Sequence, residues 1–128
     1  MSLSLDSTAD VQKLRLELRL KQLERVESCQ NNFLPFVNSM WPQFIAGRHH
    51  YLIAEKLEQI ANGELKRLII NMPPRHTKSE FASFLFPAWM IGRNPAMKII
   101  QATHTTELAV NFGRKVKNLL EQDEYKEV

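Results

Sequence analysis

Cysteine is nearly absent from this chain of 128 residues: Cys29 stands alone. No internal disulfide can form, no zinc-ligand spacing exists, and a reducing compartment is the natural expectation. No apolar run approaches the roughly 20 residues that a membrane span requires. The start, "MSLSLDSTAD", lacks the basic-then-apolar layout of a secretory signal. No membrane partner and no secretion are expected, and the product should stay in the cytoplasm of the cell that makes it. Internal repeats and low-complexity tracts are also missing. Charge of one sign is scarce. Seventeen Lys and Arg against fourteen Asp and Glu leave +3, which is compatible with a polyanionic partner and equally with an ordinary solvated surface. Hydrophobic content of 44% and charged content of 24% fit a chain with a core, one domain at most or a piece of a larger one.

What is present reads as helices and two short apolar runs. Residues 11–28, "VQKLRLELRLKQLERVES", alternate apolar and charged over Leu14 to Leu20 as a strand does. Their composition is that of a helix, and the spacing predicts a helix with Ser7 and Asp10 at its start. Its leucines fall on two sides, suiting packing between elements or against another chain, or a helix over its own core. Residues 31–50 carry two prolines and four aromatics in a loop-rich setting, the aromatics reading as core anchors. An amphipathic helix follows, with Leu52, Ile53, Leu57, Ile60 and Ala61 on one face and Asn62-Gly63 as its stop. "RLIINM" (67–72) and "KIIQAT" (98–103) are predicted to be buried parallel strands. A helix is predicted from Lys78 with Phe81, Phe84 and Leu85 inward, kinked or shortened by Pro87. "GRNP" (92–95) reads as a turn. A last helix, capped by Thr105 or Thr106, has Leu108, Phe112, Val116, Leu119 and Leu120 as its inner face. Helices and strands in this alternation predict an α/β fold.

The segment between the first predicted strand and its helix, "NMPPRHTKSE", carries the chemistry. A triphosphate needs a concave set of backbone donors, a cation and an oxygen for magnesium, supplied in G-x-x-x-x-G-K-[ST] loops between strand and helix. With Lys78-Ser79 on the last two positions, Met72 and Thr77 stand where the glycines belong. Phosphate binding is favoured by the helix amino terminus aimed at the loop, by Lys78 at a helix start where a cation is otherwise poorly placed, and by stiffening at Pro73-Pro74. The other reading is a solvated basic turn of Arg75, His76 and Lys78.

The blocks from "WPQFIAGRHHYLIAEKLEQ" through "PPRHTKSE", "FPAW" and "IGRNP" to "KIIQATHTTELAVNFGRKVKNLLEQ" resemble the large terminase subunit of tailed bacteriophages, the ATP-driven DNA-packaging motor. The resemblance covers almost everything from about Phe33 to Val128; Thr77 is its clearest departure, since the family usually shows "PPRHGKS". It implies residues 1–30 as an amino-terminal helical extension. Residues 31–128 would be the amino-terminal part of a P-loop ATPase domain, a partial three-layer sandwich of the ASCE, helicase-like kind. ATP and Mg are the implied cofactors. Amides of Pro74-Arg75-His76-Thr77-Lys78-Ser79 would wrap the β-phosphate, Lys78 would bridge β- and γ-oxygens, Arg75 would sense the γ-phosphate, and Ser79 would ligate magnesium. Trp41, Arg48, His49 and His50 would lie near the adenine or ribose; the histidines read equally as exposed helix-start residues. His104 and Thr105 would contact a DNA backbone, with plain helix capping the other reading. Double-stranded DNA, the phage portal, the small terminase subunit and a homo-oligomeric ring are the implied partners, in host cytoplasm. No predicted strand ends in Asp-Glu, so hydrolysis and nuclease segments are expected beyond Val128, with weak folding and no turnover in their absence. A noncatalytic DNA-binding or partner-binding module is the rival reading.

Overall fold

The computed structural model describes residues 3–128, with side chains from residue 7 onward. Among the described residues six α-helices follow in order: α1 Leu3–Asn31, α2 Phe33–Met40, α3 Arg48–Ala61, α4 Phe86–Arg93, α5 Thr106–Glu121 and α6 Asp123–Lys126. A π-helical segment, Glu80–Leu85, leads directly into α4. Among the described residues there is no strand and no sheet, so the predicted α/β sandwich is overturned. Residues 67–72 and 98–103 do run between helices, but neither finds a second backbone to pair with. A ladder is a non-local structure that requires such a partner. Burial follows suit. Leu68, Ile70 and Met72 lean on the core, while Ile69 is 85% and Ile100 95% exposed, where two-sided burial was expected.

The helices form for local reasons that the sequence displays. Asn62 caps α3, and Gly63 takes φ 78°, a left-handed value that suits the residue after a helix end. The buried face of α3 is Ile53, Ala54 and Leu57, whereas Leu52, expected inward, is exposed. Thr105 caps α5, its hydroxyl accepting from the Leu108 amide at 3.3 Å. Val116 and Leu119 are the buried residues of α5; Leu108, one turn from its free end, is exposed. α1 begins by Leu3, which places Ser7 inside the helix rather than at a cap. The segment read as loop-rich contains α2, with Pro35 in its first turn, where no intrahelical N–H is needed. The first amide of α2, Phe33 N–H, is satisfied from outside by Glu58 Oε1 at 2.7 Å.

Pro87 has an effect other than a simple kink. It cannot donate to the carbonyl of Ser83, and the chain answers by widening: Phe86 N–H bonds back to the Phe81 carbonyl, five residues earlier. The Ser83 carbonyl thus released accepts from the Gln101 side-chain amide. A proline-induced vacancy in one helix is therefore closed by the extended run that precedes α5.

The core is aromatic. Phe33, wholly buried, has ring contacts with Phe81, Phe86 and Trp89 at centroid distances of 5.5, 5.6 and 5.4 Å. Trp89 Nε1 donates to the Cys29 carbonyl at 2.8 Å, anchoring the last turn of α1. Burial pushes the Cys29 thiol above its ordinary value, so it stays protonated and acts as a small apolar residue. Tyr125 closes the far side, its hydroxyl donating to the Ala88 carbonyl at 2.7 Å.

Candidate functional site

A cleft of about 420 Å³ is lined by the nine residues from Met72 to Glu80. Its backbone is unusual. Arg75 has φ 65° and Thr77 φ 63°, both left-handed, and the residue between them, His76, has no positive φ. Helix begins at Lys78. Left-handed residues in a turn are one component of anion-binding nests, in which successive N–H groups converge on one concavity. None of the amides of Arg75, His76 and Thr77 donates to an acceptor among the described residues. The first helical residues, Lys78, Ser79 and Glu80, line the same cleft, and amides at a helix start lack intrahelical acceptors.

A threonine at positive φ costs on the order of 1 to 3 kcal/mol, and the surroundings show what holds it. Gly47 N–H donates to His50 Nδ1 at 2.8 Å, which makes Nδ1 the acceptor and leaves the ring proton on Nε2. That Nε2–H donates to Thr77 Oγ1 at 2.6 Å, and the threonine hydroxyl donates on to the His76 carbonyl at 2.6 Å. A three-bond relay thus runs from the start of α3 into the loop. His50 itself is gripped by rings: Phe44 at 4.8 Å and Phe81 at 5.1 Å. His76 Nδ1–H donates to the Pro74 carbonyl at 3.0 Å. Glycine's freedom is replaced by a hydrogen-bonded clamp.

The sign of His50 charge matters to this clamp. Burial, and to a lesser degree the neighbouring His49, hold the His50 pKa below its ordinary value. The folded protein therefore resists protonating it, while the unfolded chain takes up a proton near its usual value of about 6.5. Stability from this group is whole above that pH and is lost as pH falls from there toward the folded value. Melting temperatures recorded between neutral and mildly acidic pH should fall for the unmodified chain. They should fall less for His50→Gln, which keeps a donor and does not titrate.

Thr77 supplies a second test. Thr77→Gly removes the left-handed strain but leaves His50 Nε2–H without an acceptor, a loss of about 1 to 3 kcal/mol, so the two effects should cancel to within about 1 kcal/mol. Thr77→Val keeps the strain and loses the hydroxyl, and should destabilise by about 1 to 3 kcal/mol in urea titrations.

The other residues singled out in the sequence are distributed as follows. Arg75 is exposed and Lys78 half-buried, and neither has an acidic partner among the described residues. Ser79 stands exposed in the first helical turn beside them. Glu80, the carboxylate lining the cleft, is held by Lys115 at 3.0 Å. Trp41 is half-buried against Phe44, with centroids 5.2 Å apart. Phe44 in turn touches His50 and Phe81, so Trp41 belongs to the aromatic wall behind the loop. His50 is buried in that wall, its Nε2 committed to Thr77. Arg48 and His49 remain exposed at the start of α3, the His49 ring 6.3 Å from that of His76. His104 is exposed in the turn before α5, and Thr105 is engaged as its cap. Gly47 went unremarked in the sequence. A Cβ there would meet His49 Cε1 at 2.9 Å, so a side chain at this position would displace the exposed His49 ring.

Among the described residues no group of three His, Cys, Asp or Glu could hold a metal ion. A magnesium ion here would have to arrive with a phosphate ligand, taking one hydroxyl from the protein and the rest from phosphate oxygens and water, a coordination that magnesium accepts. The exposed Ser79 hydroxyl meets that requirement. No family model, no curated protein and no solved structure matches the chain.

Proposed function

We propose that the 74–79 loop grips the phosphates of a magnesium nucleotide, and that the chain is the ATP-binding amino-terminal portion of a large terminase subunit, the motor that drives viral double-stranded DNA into a procapsid. The observation that carries the phosphate reading is the pair of left-handed residues, Arg75 and Thr77, placed immediately before a helix start. That geometry is costly at Thr77, where a buried histidine holds it, and the amides of Arg75, His76 and Thr77, residues that line the cleft, have no acceptor among the described residues. Arg75 and Lys78, cations without an acidic partner among the described residues, stand at the same place. In this reading Lys78 bridges phosphate oxygens and Arg75 reaches the terminal phosphate. Magnesium, when present, neutralises phosphate charge, with Ser79 as its protein oxygen. The terminase assignment rests on the sequence blocks around this loop, and the DNA role of His104 with Thr105 and the assembly with portal and small subunit follow from it.

Glu80 is already paired with Lys115, so it is not free to orient an attacking water, and binding without turnover is the expected behaviour of this chain. Isothermal titration calorimetry with Mg·ATP, and in parallel with Mg·pyrophosphate, tests the reading. Saturable heat from both supports a phosphate grip. Heat from neither removes the proposal, and heat from ATP alone moves recognition from the phosphates to the base.

A further inference from the structure

α1 leaves the body of the protein behind. Its last turns are docked: Cys29 is buried, and Arg25 Nη2 donates to Ser39 Oγ at 3.0 Å. Every described residue from Ser7 to Glu24 is exposed. At about 100° per residue, Cys29 and Arg25 define the side of the helix that faces the body. Leu16, Leu20 and Leu23 fall on the opposite side, 69%, 57% and 57% exposed. Their spacing of four and three residues is that of a coiled-coil seam, with Leu16 and Leu23 at d and Leu20 at a. A second helix on this seam would not collide with the body.

The charges say which helix. In that register the e column is Asp10, Glu17 and Glu24, acidic throughout, and the g column is Gln12, Arg19 and Val26. Two copies side by side in parallel bring each Arg19 against Glu24 of the other copy, twice over. In the antiparallel arrangement the acidic columns meet each other and Arg19 meets Arg19, a like-charge juxtaposition. Lys13 occupies the a position one heptad before Leu20, and a lone lysine at a keeps its head in water at the edge of a two-stranded seam, favouring two strands in register over larger bundles.

We propose that α1 pairs in parallel with α1 of a second copy of this chain through Leu16, Leu20 and Leu23, independently of any nucleotide. Sedimentation equilibrium of the whole chain across the micromolar range should show a monomer–dimer equilibrium. Leu20→Glu should weaken it at least about tenfold. None of these side chains touches the core, so at concentrations where the unmodified chain is itself monomeric, circular dichroism and melting temperature should match those of Leu20→Glu, whereas where it dimerises it should melt higher. Arg19→Glu alone and Glu24→Arg alone should each weaken the dimer, and the two together should restore it. Lys13→Cys should form a disulfide-linked dimer under mild oxidation, with the unmodified chain, whose Cys29 is buried, as the control. A monomer at all concentrations overturns the proposal. So does a dimer indifferent to Leu20→Glu, a charge swap that does not rescue, or a dimer in which Lys13→Cys fails to cross-link.

Discussion

Replacing Phe33 with alanine should cost about 3 to 5 kcal/mol of folding free energy, the range for emptying a fully buried aromatic site. Three features place the loss in that range. Phe33 has no exposed surface, and three rings abut it, Phe81 and Phe86 nearly perpendicular to it at 88°. Those rings belong to the π-helical segment and α4, whereas Phe33 starts α2, so one side chain joins elements some fifty residues apart in sequence. The edge-to-face pairs contribute beyond their buried area. Collapse around the cavity is resisted because Phe33 N–H is fixed to Glu58 and Trp89 is fixed to the Cys29 carbonyl. Against a total of about 5 to 15 kcal/mol for an ordinary domain, such a loss is a large fraction. Urea unfolding followed by tryptophan fluorescence measures it, since Trp89 lies 5.4 Å from the Phe33 ring. A loss under about 1 kcal/mol would mean that Phe33 is not the hub described, because only a site able to collapse freely loses so little.

Helices were legible in the sequence wherever their signals are local. The Asn62-Gly63 stop, the Thr105 cap and the apolar spacing of α3 and α5 depend on residues within a turn or two of each other, and the structure places those ends as read. The two apolar runs show the opposite case. Their β-branched residues and bounding prolines are local facts, but a strand becomes one only by pairing with a distant backbone. Neither run pairs, and Ile69 and Ile100 are left in solvent. Pro87 was legible as a disturbance, whereas its resolution was not, because Gln101 supplies the missing donor from the next extended run. The candidate site divides in the same way. Its cations and hydroxyl are contiguous in sequence and were found there. That Thr77 holds a left-handed conformation ran against its own preference, and the reason lies 27 residues upstream in His50.

Lys78→Ala should weaken binding of a magnesium nucleotide by about tenfold to somewhat over a hundredfold while leaving the fold intact. The side chain is half-buried at the helix start, and among the described residues it makes no ion pair. An ammonium there is unfavourably placed with respect to the helix dipole, so its removal should leave the melting temperature unchanged or slightly raised without ligand. The same group donating to phosphate oxygens forms charge-assisted hydrogen bonds of about 1.5 to 3 kcal/mol. Losing them weakens affinity by about tenfold to somewhat over a hundredfold. A nucleotide bound at micromolar strength would thereby be bound at about ten to somewhat over a hundred micromolar, a change that calorimetry reads directly. Arg75→Ala, which removes the exposed cation and leaves the left-handed backbone to an equally unsuited residue, should weaken ATP more than ADP, because its reach is to the terminal phosphate. The decisive readout is the difference between ligand-free and ligand-bound melting temperatures. A Lys78→Ala protein that gains as much stability from Mg·ATP as the unmodified chain would show that the amides alone bind, and a shift diminished equally in a Lys66→Ala control, whose side chain is exposed and does not line the cleft, would reduce the effect to net charge.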